Sequence, residues 1–329
     1  MTLRKPIFIL TIAVLILFSL VVLRRIWKQP PSPTSGTLSG QQQTYQPGDW
    51  RESITVDGRE RTYLLHIPTK FDPDQRRSLV VVLHGTFGTG DKVEGQTGFS
   101  ELADKEGFIV VYPDALANWN DGRGTSDAAK KGVDDISFIK NLVFELQRKL
   151  PVDESRIYAA GVSSGGIMTY KLGCETSLFA AIAPVIANIA ESIANTCNPV
   201  PTALIAINGV EDPFVPFNGG ECCKTPRGGG EGGKVISNQK SLEIFAQSNV
   251  CSLSPKKEML PVLVEDGTSV EKKTYASCKD EKDIIAYAIH GGGHAWPPNP
   301  PQAPRMTGAS SQNIDATQVI WEFFEGQAK

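Results

Sequence analysis

From Trp50 onward the apolar positions fall into short continuous runs, separated by stretches with helical spacing. Ser53–Val56 and Arg61–Ile67 flank Asp57-Gly58, a dipeptide suited to a tight antiparallel turn, so the pattern predicts an opening hairpin. Leu79–Leu83 and Phe108–Tyr112 are unbroken apolar runs of the kind found in strands buried on both faces, and Phe99–Glu106 between them reads as a helix. Asp134 and Asp135 are both placed to cap a helix whose apolar residues recur at Ile136, Ile139, Val143, Leu146 and Leu150. Beyond it the pattern predicts strands at Arg156–Ala160, Phe179–Pro184, Ala203–Ile207 and Ile284–Ile289. It predicts helices at Ile167–Leu172, Lys240–Gln247 and Thr317–Phe324. Strands alternating with helices imply an α/β fold, with a mostly parallel central sheet and helices on both faces.

The first 48 residues follow another rule. Arg4, Lys5, Arg24, Arg25 and Lys28 stand there without a single acid, and Pro6 to Leu23 is uncharged and almost wholly apolar. As a helix, 6–23 would run roughly 27 Å, within reach of a bilayer core when its flanking arginines snorkel. No small-residue cleavage site follows; Arg24-Arg25-Ile26-Trp27 stands there instead. Residues 1–28 therefore read as an uncleaved membrane anchor, with a signal peptide as the alternative. Residues 29–48 carry no charge until Asp49 and are mostly Pro, Ser, Thr, Gly and Gln, a flexible linker, which leaves 49–329 as the folded body. The overall charge of −3 conceals this split, because without its anchor the chain is distinctly acidic. No basic footprint for nucleic acid is present.

Gly161-Val162-Ser163-Ser164-Gly165 lies between a predicted strand and a predicted helix. This is the context of a nucleophile elbow, in which a sharp turn exposes a serine at a helix N-terminus. A serine nucleophile needs a base, and the chain has only four histidines: His66, His84, His290 and His294. His66 falls inside the opening hairpin. His84 directly follows a central strand and precedes Ser163, where it would shape an oxyanion loop. The order Ser…Asp…His leaves His290 and His294, and His294 is preferred because it follows the Gly291-Gly292-Gly293 run, which lets the loop turn back over the sheet edge. The orienting acid is expected after Ala203–Ile207, at Asp212, with Glu211 as runner-up. Two backbone N–H groups, of Thr86 and Ser164, are expected to form the oxyanion hole. Trp119 and Trp296 are candidates for stacking on a substrate ring.

Leu83-His84-Gly85, Tyr112-Pro113-Asp114, Trp119–Arg123, Val133-Asp134-Asp135, Gly161–Gly165, Glu211-Asp212-Pro213 and Gly291–Pro297 occur in that order. Together they resemble the polyhydroxybutyrate depolymerase and feruloyl/acetylxylan esterase group of α/β-hydrolases, over about residues 50 to 325. The resemblance implies the α/β-hydrolase fold, a triad of Ser163, Asp212 and His294, and extracytoplasmic hydrolysis of carboxylic esters such as hydroxybutyrate oligomers, feruloyl or acetyl esters. It also implies a Cys251–Cys278 disulfide. The chain departs from the group's pattern at Pro298 after Trp296-Pro297, at Asn208-Gly209-Val210 ahead of the acid, and at Thr86 or Phe87, where a cysteine is often found.

Six cysteines, all after the anchor, suggest disulfides. Cys222 and Cys223 are adjacent and are expected to pair with Cys174 and Cys197 rather than with each other. There is no C-x-x-C with a nearby histidine, so no metal is expected. The Gly228–Gly233 loop lacks the Lys-Ser ending and strand context of a phosphate cradle, so no cofactor is expected either. Only one helix's length of chain follows His294, too little for a polymer-binding module. The expected partner is a soluble or short ester, with the membrane contacted through residues 6–23. An acyltransferase using the same triad, or a silent binding protein on the same fold, are the alternatives.

Overall fold

The computed structural model describes residues 45–224, 230–300 and 304–329. The expected anchor at 6–23 and linker residues 29–44 lie outside them. Among the described residues, no helix is long and apolar enough to cross a membrane. Tyr45 is buried and Gly48 opens the first strand, so ordered packing begins within the span expected to be linker.

In chain order the elements are β1 (Gly48–Val56), β2 (Arg59–Ile67), β3 (Arg77–Leu83), α1 (Gly90–Thr97), α2 (Phe99–Glu106), β4 (Ile109–Pro113), α3 (Asp127–Lys130), α4 (Asp135–Lys149), β5 (Val152–Val162) and α5 (Ser164–Glu175). They continue as β6 (Ala181–Val185), α6 (Glu191–Ala194), β7 (Ala203–Gly209), β8 (Gly220–Glu221), β9 (Lys234–Val235), α7 (Asn238–Ser248), β10 (Lys256–Met259), β11 (Ser269–Tyr275), β12 (Ile284–His290), α8 (Pro304–Thr307) and α9 (Ala316–Glu325). The large sheet runs β1-β2-β4-β3-β5-β6-β7-β12-β11-β10. Its six central strands, β4 through β12, pair in parallel, while β1, β2 and β11, β10 add antiparallel strands at the two edges. Asp57 and Gly58 both take positive φ, 51° and 71°, the turn whose twist matches a two-residue hairpin.

Side chains alternate across the sheet, so one strand feeds two cores. Leu79, Val81 and Leu83 of β3 face the cluster holding Phe138, Leu142 and Leu146 of α4. Val80 and Val82 face the opposite cluster with Phe99 of α2 and Ile320 and Phe324 of α9. That two-sided burial is why the central strands read as continuous apolar runs. At the start of α4 only Asp134 caps, accepting the Ser137 N–H at 2.9 Å. Asp135, expected to do the same, is buried instead, bonded to Arg61 and to the Asn120 N–H at 2.7 Å each.

The disulfides are Cys174–Cys197, Cys222–Cys223 and Cys251–Cys278. The pair implied by resemblance is present, but Cys222 and Cys223 bond to each other, against expectation. Neighbouring side chains in extended backbone point to opposite faces. Here Cys223 has φ of 66°, a left-handed conformation that departs from that arrangement. Cys174, at the end of α5, meets Cys197 with their Cα atoms 4.7 Å apart.

Candidate active site

The nucleophile elbow is built by steric exclusion. β5 ends at Val162, α5 starts at Ser164, and Ser163 between them sits at φ 57°, ψ −120°, a strained conformation for a side chain with a Cβ. A Cβ on Gly161 would lie 2.4 Å from the Gly165 carbonyl oxygen, and one on Gly165 would lie 2.3 Å from the Leu83 carbonyl oxygen. Both glycines are therefore obligatory for the close approach of β3, β5 and α5 that presents the serine.

His294 Nε2 lies 3.0 Å from Ser163 Oγ, and its Nδ1 lies 2.7 Å from Asp212 Oδ2. The other oxygen of Asp212 accepts the N–H groups of Phe214 and Val215 at 2.7 and 2.9 Å. The carboxylate is thus pinned by its own loop before the histidine meets it. Glu211, the runner-up, points elsewhere and accepts the Gly291 N–H at 2.6 Å. His290 is exposed at the end of β12. The Gly291–Gly293 run is not a flexible tether. A Cβ on Gly209 would lie 2.3 Å from the Gly293 oxygen, and one on Gly293 would lie 2.1 Å from the Thr307 oxygen. The acid loop and the base loop therefore pack backbone against backbone, and His294 N–H donates to Thr307 O at 2.6 Å. The Phe214 ring meets the His294 imidazole edge-on, with centroids 5.2 Å apart.

Ser163 and His294 line a cavity of about 850 Å³ whose walls include Thr86, Phe87, Ile186, Phe214 and Cys223, with Lys92 and Asn299 among its polar lining. Thr86 follows Gly85, where an added Cβ would lie 3.4 Å from Ser163 Cβ, so this loop abuts the nucleophile. The Thr86 N–H has no acceptor among the described residues, and the Ser164 N–H is in the first turn of α5, where helix donors lack intrahelical partners. His84 is buried, with Nδ1 2.7 Å from Gly85 O and Nε2 accepting the Ala115 N–H at 3.1 Å. Burial holds its pKa below the usual value, and the neutral Nδ1–H form satisfies both bonds.

The two tryptophans depart from expectation. Trp119 is fully buried, absent from the cavity wall, and donates its indole N–H to His84 O at 2.8 Å. Trp296 borders the cavity but is 1% exposed, packed against Phe99 and bonded to Thr317 Oγ1 at 3.0 Å. Neither offers a free ring face, because each closes a loop onto the core.

Sequence reading missed a buried polar network beside the oxyanion loop. Arg123 and Asp121 are paired at 2.6 Å, and Arg123 also reaches Glu231 Oε2 at 3.1 Å and Gly232 O at 2.9 Å. Burial raises the Glu231 pKa, against the pull of Arg123 and Asn118. The Trp119–Arg123 motif marked this region, but Glu231 lies far along the chain. Elsewhere, Asp49, His66 and Glu94 bring ligand-type atoms within 4.8 Å of one another. His66 there is already engaged, with Nδ1 2.7 Å from Asp49 and Nε2 3.3 Å from Asp104.

A mostly parallel sheet with helices on both faces and a serine on a strained strand-to-helix turn define an α/β-hydrolase fold. Residues 62–194 match the family model Esterase PHB depolymerase. "Putative esterase NocK" of Nocardia uniformis subsp. tsuyamanensis is 29% identical over 280 residues, 83% of this chain and 81% of that protein. Feruloyl esterase C of Emericella nidulans is 26% identical over 276 residues, 82% of this chain and 84% of that one. Feruloyl esterase B of Piromyces equi is 29% identical over 244 residues, but the match spans only 42% of its length. Among solved structures, an acetyl xylan esterase from Aspergillus awamori superposes with a TM-score of 0.56 at 15% identity, covering 84% of this chain and 99% of that one. The chain is similar to the polyhydroxybutyrate depolymerase, feruloyl and acetylxylan esterase group of the α/β-hydrolase superfamily.

Proposed function

We propose that the chain is an extracytoplasmic serine esterase hydrolysing carboxylic esters through an acyl-enzyme on Ser163. The observation that carries this is the unbroken line from Asp212 through His294 to Ser163, with contacts of 2.7 and 3.0 Å, at the floor of an open cavity. Ser163 Oγ attacks the ester carbonyl carbon as His294 Nε2 takes its proton, and Asp212 orients the imidazole and offsets its charge. The carbonyl electrons move onto oxygen, facing the Thr86 and Ser164 N–H groups. Collapse breaks the bond to the alcohol, which leaves with the proton from His294. Water then repeats the sequence on the acyl-enzyme and releases the acid. The relatives' names favour feruloyl, acetyl or hydroxybutyrate esters as substrates. The disulfides favour an oxidising compartment, and residues 6–23 suit an anchor holding the catalytic domain, 49–329, outside the membrane on the 29–48 linker.

The test is labelling with a fluorophosphonate together with turnover on a panel of acetyl, feruloyl and hydroxybutyryl esters. Labelling and hydrolysis should both vanish in Ser163→Ala. Labelling that persists in that variant would overturn the assignment.

A further inference from the structure

The oxyanion loop is held by a relay that begins more than a hundred residues away. The Phe87 N–H, one residue beyond Thr86, donates to Asn118 Oδ1 at 2.8 Å. The Asn118 Nδ2 group donates to Glu231 Oε1 at 2.7 Å, across a sequence separation of 113. Glu231 is in turn held by Arg123 Nη2 at 3.1 Å, and Arg123 is locked by the Asp121 carboxylate and by Gly232 O. Asn118 is 4% exposed and the Arg123 side chain is fully buried.

The chemistry of the partners sets the direction of every bond. A backbone N–H only donates, so the amide oxygen of Asn118 must face Phe87. A carboxylate only accepts, so the amide nitrogen must face Glu231. Glu231 thereby selects one of the two orientations of the Asn118 amide, the one that holds the loop. We propose that Asn118 and Glu231 are positioning residues for the oxyanion hole. Together they fix the peptide beyond Thr86 and thus the aim of the Thr86 N–H at the developing oxyanion. This rests on the esterase reading given above. Removing an oxyanion donor outright costs about 10²–10³-fold in kcat. Misaiming one that remains should cost less, about 10- to 100-fold, and should fall on kcat rather than KM.

The test uses the rate at which a fluorophosphonate modifies Ser163, alongside kcat and KM for an ester the wild type turns over. Asn118→Ala should slow both reactions at least 10-fold, with KM within about threefold of wild type. Asn118→Asp sets a carboxylate against Glu231 and should be equally slow. The double change N118D with E231Q rebuilds the relay with its middle bond reversed. The new carboxylate accepts from Phe87 and from the glutamine amide, whose oxygen still accepts from Arg123. It should recover most of the lost rate. Merely structural packing predicts no such rescue. Asn118→Ala within threefold of wild type, or a double variant no faster than N118D, would overturn the relay. If the wild type is labelled at Ser163 yet turns over no ester, the esterase reading falls while the labelling rates still decide the relay. No labelling of wild type overturns both.

Discussion

Asp212→Asn separates the acid's chemical task from its structural one. Asp212 meets three donors: the Phe214 and Val215 N–H groups at one oxygen and His294 Nδ1 at the other. In the asparagine variant the amide oxygen must remain with the two backbone donors, because turning the NH₂ toward them would orphan both. The NH₂ then faces His294, whose Nδ1 must become the acceptor. The imidazole proton moves to Nε2, pointing at Ser163 Oγ, and the base can no longer take the serine proton. A wrong tautomer of this kind costs about 10⁴-fold in kcat, or about 5.5 kcal/mol. Stability should change by no more than about 1 kcal/mol, since the loop keeps its acceptor. Asp212→Ala, by contrast, strands the loop donors and should cost about 2–3 kcal/mol of stability as well. Hydrolysis of an activated acetyl ester, read beside a urea melt, distinguishes these outcomes. Glu211→Gln is the control and should lose less than about threefold, since Glu211 only orders the Gly291 turn. Asp212→Asn retaining a tenth of wild-type activity would refute the tautomer argument.

At the elbow, Gly165→Ala drives a Cβ to 2.3 Å from the Leu83 oxygen. It should cost about 3 kcal/mol or more in a denaturant melt, because backbone on both sides leaves nothing able to yield. Removing Cys251–Cys278, which closes a span of 27 residues, should cost about 3.5 kcal/mol. Removing Cys222–Cys223 closes no loop and should leave the melting midpoint nearly unchanged; denaturant midpoints of the two double-serine variants make the comparison. Glu52 is pushed up by burial, but bonds from Tyr63, Lys149 and Tyr45 outweigh this and hold its pKa below the usual value. Its stabilising share is therefore present above the unfolded pKa and lost as pH falls through the folded one. The gap in melting temperature between wild type and Glu52→Gln should be present at pH 7 and shrink toward pH 3.

What could be read from sequence was what burial and local geometry write into neighbouring residues. The central strands show as apolar runs because both faces are covered, and the elbow shows because its glycines lie within four residues of each other. With four histidines to choose from, chain order narrows the candidate base to His290 and His294, and the adjoining Gly291–Gly293 run favours His294. Strands β10 and β11 escaped because charged residues interrupt their apolar pattern; Ser269–Tyr275 carries Glu271, Lys272 and Lys273. Helix α1 escaped because Gly90 and Gly95 break its pattern; Gly90 is needed where a Cβ would lie 2.6 Å from the Tyr112 oxygen. Whether a tryptophan faces a cavity or a core is decided by elements remote in sequence, so the burial of Trp119 and Trp296 leaves no local trace. The same holds for Asn118 and Glu231, whose contact spans 113 residues and leaves no local trace.

The seat of His294 also depends on chain that lies well beyond it. Ser163 and its elbow lie halfway along the chain, but Gly293 and His294 are tied by backbone bonds to Ala309 and Thr307, and Pro297 O receives the Ala316 N–H. Trp296 is fastened to Thr317. The elbow around Ser163 is built from β3, β5 and α5, whereas the seat of His294 also needs residues 307–317, which are made later in synthesis. A chain cut before Thr307 would keep Gly161, Ser163 and Gly165 but lose the backbone partner that holds His294.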